Sequence, residues 1–337
     1  MIIEECNNIV RSLNFNKLKN KSVLVTGASG LIGSYMISCL KLIKQEYNIE
    51  IFAWVKNDIN NAHKHIFEEV HIIKGDITDV ACFQDLPYFD YIIHAAGYGQ
   101  PGRFLEDKIK TITLNTLSTI QLFNKLKKAG TFLFVSTSEL YSGLDVENVT
   151  ENECGVTSTD HPRACYIEGK RCGEAICYSF LQKGVNVKIA RLSLAYGPGT
   201  RINDQRVLNS LIQKGLLNQY IELLDDGSAI RTYCYITDVI EMFWNILLHS
   251  KEVLYNVSGV SKITIKELAE TIGEELDREV KLPSICKTLT GTPKIVNVSS
   301  EKYVHEFKKH SFKELKEGLK ATIKWQRELY KNETNNI

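Results

Sequence analysis

The stretch "SVLVTGASGLIGSYM", residues 22–36, decides how this chain folds. Its first five residues form a short apolar run rich in valine, suited to a buried strand. Gly27, Gly30 and Gly33 follow at G-x-x-G-x-x-G spacing, and the chain then enters "LIGSYMISCLKLIKQEY", which reads as a helix. Glycine at such a turn permits a left-handed backbone or a close approach of main chains. The first amides of the helix have no acceptor of their own, so the turn favours an anion. Between a strand and a helix, the expected anion is the pyrophosphate of a dinucleotide, with Ser29, Leu31 and Ile32 sharing its contact.

Working outward, "KSVLVT" (21–26), "IEIFAWV" (49–55), "VHIIKGDI" (70–77), "YIIHAAG" (91–97), "TFLFVST" (131–137) and "VNVKIARLS" (185–193) read as strands. Helix-compatible stretches separate them, including "IKTITLNTLSTIQLFNKLKKAG" (109–130), for which Gly130 is the expected stop. The alternation predicts an α/β fold: a Rossmann-type, doubly wound parallel sheet over residues 21–194. Residues 1–20 read as a helical extension with Ile2, Ile3, Ile9, Val10 and Leu13 available for docking. Beyond 195 the pattern turns irregular and predicts a smaller mixed α/β lobe over 195–337, with a segment near 231–250 returning to the main domain and an amphipathic tail from Phe307 to Tyr330.

Bulk properties narrow the partners. With 41 basic and 40 acidic residues, nothing in the balance of charge calls for nucleic acid or an anionic membrane surface. No run reaches the roughly 18 apolar residues of a membrane span, and the first twenty residues lack the pattern of a secretory signal. The nine cysteines (6, 39, 82, 154, 165, 172, 177, 234 and 286) are scattered without a C-x-x-C pair, which suits a reducing compartment. The expectation is a cytoplasmic protein acting on a small molecule. No metal site is expected: His63 and His65 lie in a polar run without companion ligands, and His94 belongs to a strand.

A carboxylate ending the second strand would bind the adenosine ribose of NAD. The chain has Val55 there, then Lys56. Lys56 suits a 2′-phosphate as well, which leaves NAD and NADP both open. Asp76 and Ile77 end the third strand near the expected adenine, and Ala95, Ala96 and Gly97 are small enough for a cofactor to approach the backbone.

Tyr166 and Lys170 in "YIEGK" lie four apart, on one face of a helix. An ammonium beside a phenol lowers the phenol's pKa and lets it take a proton from a sugar hydroxyl near neutral pH. Both groups would also touch the cofactor. Thr137, at the carboxyl end of a strand where ligands of open α/β sheets bind, has a hydroxyl for the reacting oxygen.

The set "TGASGLIG", "GDI", "HAAG", "STSELY", "YIEGK" and "RLSLAYGPG" resembles the extended short-chain dehydrogenase/reductases that modify nucleotide-sugars, over nearly the whole chain. Within them "DKIKTITLNT", "STSELY", "HPRACYIEGKR", "NDQRVLNSLI" and "IRTYCYITDVI" are most similar to the UDP-glucuronate decarboxylases. The resemblance implies Tyr166 as base, Lys170 as its partner and Thr137 as orienting hydroxyl, with hydride leaving the sugar C4 for NAD and carbon dioxide lost from the 4-keto sugar. It implies Glu139 at the reacting end of the sugar, Arg163 and Arg231 near the carboxylate or diphosphate, Ser138 against the substrate, and Arg206 on the nucleotide side. It further implies a homodimer through helices starting near Ile109 and Tyr166.

Three positions depart from the family pattern: Leu194 replaces an asparagine, "GYGQPGRF" (97–104) replaces a loop rich in serine and proline, and Val55 stands at the ribose position. A 4,6-dehydratase would carry Asp-Glu where this chain has Ser138-Glu139. A 4-epimerase or C4 dehydrogenase needs only the Thr-Tyr-Lys core. A cofactor-binding sensor without turnover would not need Thr137, Tyr166 and Lys170 together.

Overall fold

The fold was analysed in a computed structural model that describes residues 1–59, 61–144, 146, 148–202, 204–283 and 294–334; Cys286 and the side chain of His63 lie outside that part. The chain opens with α1 (Ile2–Ser12), β1 (Ser22–Thr26), α2 (Leu31–Tyr47), β2 (Glu50–Val55), β3 (His71–Lys74) and β4 (Phe89–His94). It continues through α3 (Pro101–Glu106), α4 (Lys108–Asn115), α5 (Leu117–Phe123), β5 (Leu126–Thr137), α6 (Ala164–Leu181) and β6 (Asn186–Leu192). The second part contains β7 (Leu194–Tyr196), α7 (Val207–Leu217), β8 (Tyr220–Glu222), β9 (Ile230–Tyr235), α8 (Ile236–His249), β10 (Leu254–Val257), β11 (Ser261–Thr264) and α9 (Ile265–Leu276). Last come β12 (Glu279–Lys281), β13 (Ile295–Val296), α10 (Glu301–Phe307) and α11 (Leu315–Thr334).

Seven parallel strands form the main sheet in the order β10-β6-β5-β4-β1-β2-β3. The chain winds outward from β1 to β3, then crosses back to place β4 on the other side of β1. That reversal opens a crevice at the carboxyl ends of β1 and β4, where an open α/β sheet binds its ligand.

Side chains alternate across the sheet, so each strand feeds two cores. Val23 and Val25, with Leu133 and Val135, face the layer of α1, α2 and α8, while Leu24, Phe132 and Phe134 face the layer of α5 and α6. The strands are therefore apolar almost throughout, as double burial requires.

The predicted helix over 109–130 is shorter than expected. A break at Thr116 divides α4 from α5, α5 ends at Phe123, and Gly130 sits inside β5 rather than closing a helix. Main-chain pairing outweighs the helix propensity of "KLKKA": Phe89 N–H donates to Lys125 O at 2.9 Å, and Leu126 lies opposite Phe89. The strand predicted over 91–97 ends at His94, and the one over 70–77 ends at Lys74.

Residues after 194 build a small sheet around β9, which pairs with β7 and β13 in parallel and with β11 antiparallel. Strand β9 leads directly into α8, whose buried face joins the core of the main sheet. At the other end of the chain, Ile2, Cys6 and Ile9 bury one face of α1, and Glu5 accepts hydrogen bonds from the hydroxyls of both Tyr35 and Tyr235. Among the described residues no helix is long and apolar enough to cross a membrane.

Candidate active site

The glycine turn is built as its spacing demands. Gly27 has φ +66°, and a Cβ on it would stand 2.7 Å from Ala96 Cα; a Cβ on Gly33 would stand 2.4 Å from Gly27 O. Only hydrogen fits at both positions, and the start of α2 is thereby held against the β4 loop. Gly30 occupies the N-cap with no side chain bonded to the helix's first amides. Those amides open on a cavity of about 370 Å³ lined by Gly27, Ser29, Gly30, Leu31, Ile32 and Gly33. An uncapped helix start on a cavity is the donor set that a pyrophosphate requires.

Lys56, Asp76 and Ile77, expected near the adenosine, are in the lining of the same cavity. Val55 is turned into the core, so the ribose position falls to Lys56. Lys56 Nζ lies 3.1 Å from Asp76, and Lys110 Nζ lies 2.6 Å from the same carboxylate. Burial works to raise the pKa of Asp76, but hydrogen bonds from Lys110, Thr78 and Lys56 outweigh it and hold the carboxyl well below its ordinary range. Lys56 also donates to the Tyr98 hydroxyl at 3.2 Å. Lys110 and Tyr98 lie in quoted segments, "DKIKTITLNT" and "GYGQPGRF", but neither was singled out, because nothing in the sequence places them beside Asp76 and Lys56.

Ala95, Ala96 and Gly97 line the middle of the cavity beneath the glycine turn. They are held by a buried polar chain: Ala96 N–H donates to Thr26 Oγ1 at 3.2 Å, Thr26 Oγ1 meets His94 Nδ1 at 2.8 Å, and His94 Nε2 meets Leu114 O at 3.3 Å. Burial foremost, with the nearby charge of Lys170, drives the His94 pKa down to about 3 and keeps the ring neutral. With its Nε2–H donating to Leu114, its Nδ1 accepts from Thr26.

Thr137, Ser138, Glu139, Tyr166 and Lys170 all line this same cavity. Thr137 ends β5, and its Oγ1 accepts from Glu139 N–H at 3.2 Å, which fixes the turn beyond the strand. Tyr166 stacks on Phe104, ring centroids 4.8 Å apart and 7° from parallel. One turn further along α6, Lys170 Nζ donates to Val135 O at 2.7 Å and lies 4.8 Å above the Phe134 ring.

The electrostatics differ from the sequence expectation. Desolvation pushes Tyr166 up to about 12, opposed by a hydrogen bond with Thr137, while burial brings Lys170 down to about 8. The predicted lowering of the phenol by the ammonium does not prevail here, because removal of the hydroxyl from water is the larger effect.

Glu139 and Arg163 form an ion pair on the cavity wall, with Arg163 Nη2 donating to Oε1. Burial raises the Glu139 pKa against the opposing charges of Arg163, Arg231 and His161. Glu139 Oε2 and Arg163 Nε are buried without a hydrogen-bond partner. Arg231, on β9, is buried within electrostatic reach of Glu139 but outside the cavity lining, and its guanidinium donates to Ile230 O at 2.8 Å. Arg206 lines the cavity and is bound to Asp204, with Nη2 to Oδ2 at 2.5 Å.

Two of the three departures from the family pattern, Leu194 and the rebuilt loop, contribute to the cavity wall. Leu194, Tyr98, Gly99, Gln100, Arg103 and Phe104 all line the cavity, with Phe104 beneath the Arg163 guanidinium and Tyr98 against Lys56. Phe104 and Arg103 escaped sequence reasoning because the rebuilt loop has no motif to compare. Arg201, bonded to Ser29 Oγ at 2.9 Å, escaped for the same reason. Among the described residues no group of three or more histidine, cysteine or acidic side chains is placed to hold a metal ion.

Comparisons with known proteins bear on this geometry. The sequence model of the NAD dependent epimerase/dehydratase family matches residues 23–258. UDP-glucuronic acid decarboxylase 6 of Arabidopsis thaliana is 30% identical over 277 residues, which is 80% of this chain and 78% of the relative. UDP-glucuronic acid decarboxylase 1 of Danio rerio is 28% identical over 256 residues, 75% of this chain and 60% of that longer protein. Among solved structures, an epimerase of Methanothermobacter thermautotrophicus aligns with TM-score 0.81 and 18% identity over 98% of this chain and 97% of its own. UDP-glucuronic acid 4-epimerase of Bacillus cereus, solved with UDP-glucuronic acid and NAD, aligns with TM-score 0.75 and 22% identity over 92% of this chain and 100% of its own. The chain therefore belongs to the NAD dependent epimerase/dehydratase family, and its cofactor is NAD.

Proposed function

We propose that this protein is a nucleotide-sugar enzyme of UDP-glucuronate decarboxylase type. The observation that carries the reading is the partly buried Glu139–Arg163 pair in the cavity that Thr137, Tyr166 and Lys170 also line, with one buried oxygen and one buried nitrogen of the pair left without partners. Such a pair suits a sugar end that carries both a carboxylate and hydroxyls. The similarity to the Arabidopsis decarboxylase supports the same choice.

Bound NAD supplies the acceptor for the C4 hydride and returns it at the end of the cycle. Tyr166 takes the C4 hydroxyl proton, Thr137 orients that oxygen and hydrogen-bonds the phenol, and Lys170 follows one turn along α6. Oxidation makes C4 a ketone, so the carboxylate on C5 becomes β to a carbonyl. Carbon dioxide then departs with its bonding electrons left in the C4–C5 enolate. A proton added to C5 and hydride restored to C4 close the cycle with no net redox change. Arg163 holds the carboxylate end with the charge of Arg231 behind it, Glu139 faces the reacting carbon and fixes Arg163, Ser138 contacts the sugar, and Arg206 supports the nucleotide side.

The protein acts as a homodimer in this reading. Ile109, Ile112, Leu117, Ile120 and Tyr178 present exposed apolar surface on α4, α5 and α6, where a second copy would bury it. A cytoplasmic location fits the described cysteines, all free thiols.

The test is incubation of the NAD-loaded protein with UDP-glucuronate, UDP-glucose and dTDP-glucose, with products identified by mass. The reading expects carbon dioxide loss from UDP-glucuronate alone. Epimerisation without mass change, or loss of water from dTDP-glucose, would overturn it.

A further inference from the structure

Two arginines at the cavity mouth are absent from the machinery described so far. Arg201 follows β7 on the chain and reaches back to the glycine turn, donating from Nη2 to Ser29 O at 3.1 Å and Ser29 Oγ at 2.9 Å. Ser29 lies between Gly27 and Gly30, so this guanidinium stands at the lip of the uncapped start of α2. Arg103, on α3 in the rebuilt loop, lines the same cavity.

The two guanidinium groups line one cavity within electrostatic reach of each other. After partial burial, the charge of Arg103 is the main influence lowering the Arg201 pKa, and Asp204 is the acid that opposes it. Asp204 is already held by Arg206 through both carboxylate oxygens. Arg103 has no ion pair among the described residues. Two like charges brought together beside a row of free amides are relieved when an anion with several oxygens enters between them.

We infer that Arg103 and Arg201 form a clasp over the diphosphate of bound NAD, closing from the cavity mouth the cradle that the glycine turn forms from below. The cofactor's diphosphate is favoured over that of a nucleotide-sugar because Arg201 is bonded to the turn itself. The clasp joins the rebuilt β4–α3 loop to the loop after β7, so both must part before NAD leaves. An enzyme that returns hydride to the carbon it came from benefits from a cofactor that stays through the cycle. The inference rests on the NAD site alone and is independent of which sugar is processed.

Calorimetric titration of cofactor-stripped protein tests it. Arg103→Ala and Arg201→Ala should each weaken NAD and ADP-ribose about tenfold or more, as expected for a lost charge-assisted contact. Affinity for adenosine, which has no phosphate, and for UDP should be unchanged in both variants. Both side chains are exposed at the mouth, so circular dichroism and melting temperature should match the parent. Unchanged NAD affinity in the folded variants would overturn the clasp. Equal weakening of adenosine, or weakening of UDP in place of NAD, would overturn it as well, the latter by assigning the arginines to the sugar-nucleotide.

Discussion

Lys170 Nζ donates to the Val135 carbonyl at 2.7 Å, which commits a buried ammonium to the end of β5. Its pKa falls from 10.5 to about 8 through burial, so the folded protein binds this proton less tightly than the unfolded chain. Charge on Lys170 is therefore held at a cost to stability of ~3 kcal/mol below pH ~8. That cost disappears as pH rises towards 10.5, because the native lysine is then neutral. Lys170→Met should be inactive yet more stable than the parent near pH ~7, with the advantage shrinking near pH ~10. Denaturant unfolding at the two pH values measures it; a variant less stable near pH ~7 contradicts the electrostatic reading.

Tyr166→Phe removes the hydroxyl and keeps the ring on Phe104. Turnover should fall by roughly a hundredfold or more. NAD affinity by titration should stay near that of the parent. Loss of NAD binding with loss of activity would instead make Tyr166 a cofactor anchor.

Behind the site, Arg191 and Glu174 form a buried pair at 2.8 Å, and Ser136 Oγ donates to Glu174 at 2.5 Å. Arg191 also donates to the Tyr141 hydroxyl at 2.8 Å, so the pair supports the strand end and turn that bear Thr137 and Glu139. Arg191→Met leaves a buried carboxylate unpaired and should cost about 3–5 kcal/mol of stability. Replacing both partners, as in Arg191→Met with Glu174→Leu, should recover much of that loss. Failure of the double variant to recover would mean that the hydrogen bonds to Ser136 and Tyr141 dominate.

The apolar face of α4, α5 and α6 should be buried between two copies. Ile109, the most exposed of its large residues at 74%, is the point to challenge. Ile109→Asp should shift the protein from dimer to monomer in sedimentation at micromolar concentration. A parent that sediments as a monomer would remove the dimer from the account.

Much of this fold was legible in sequence because the main strands are buried on both faces and read as continuous apolar runs. The glycine turn was equally plain, since Gly27 and Gly33 each occupy a place that a side chain would fill with a clash. The start of β5 was hidden: Leu126 to Gly130 carry helix-forming residues, and only their partner strand β4 makes them extended. At the site, motif residues were visible and their surroundings were not. Phe104, Arg103 and Arg201 reach the cavity from loops and helices whose placement depends on tertiary packing. The same reason explains the phenol, whose desolvation is a property of the folded cavity and of no spacing in the chain.

The most direct test follows one hydrogen atom. UDP-glucuronate deuterated at C4 is turned over by the NAD-loaded enzyme, and the sugar product is examined by mass spectrometry and proton NMR. The account predicts a decarboxylated product with deuterium still at C4, removed and returned within a single cycle, and product formation slowed roughly a hundredfold or more in Tyr166→Phe. Deuterium exchanged with solvent, or carbon dioxide released while Tyr166→Phe remains fully active, would contradict it.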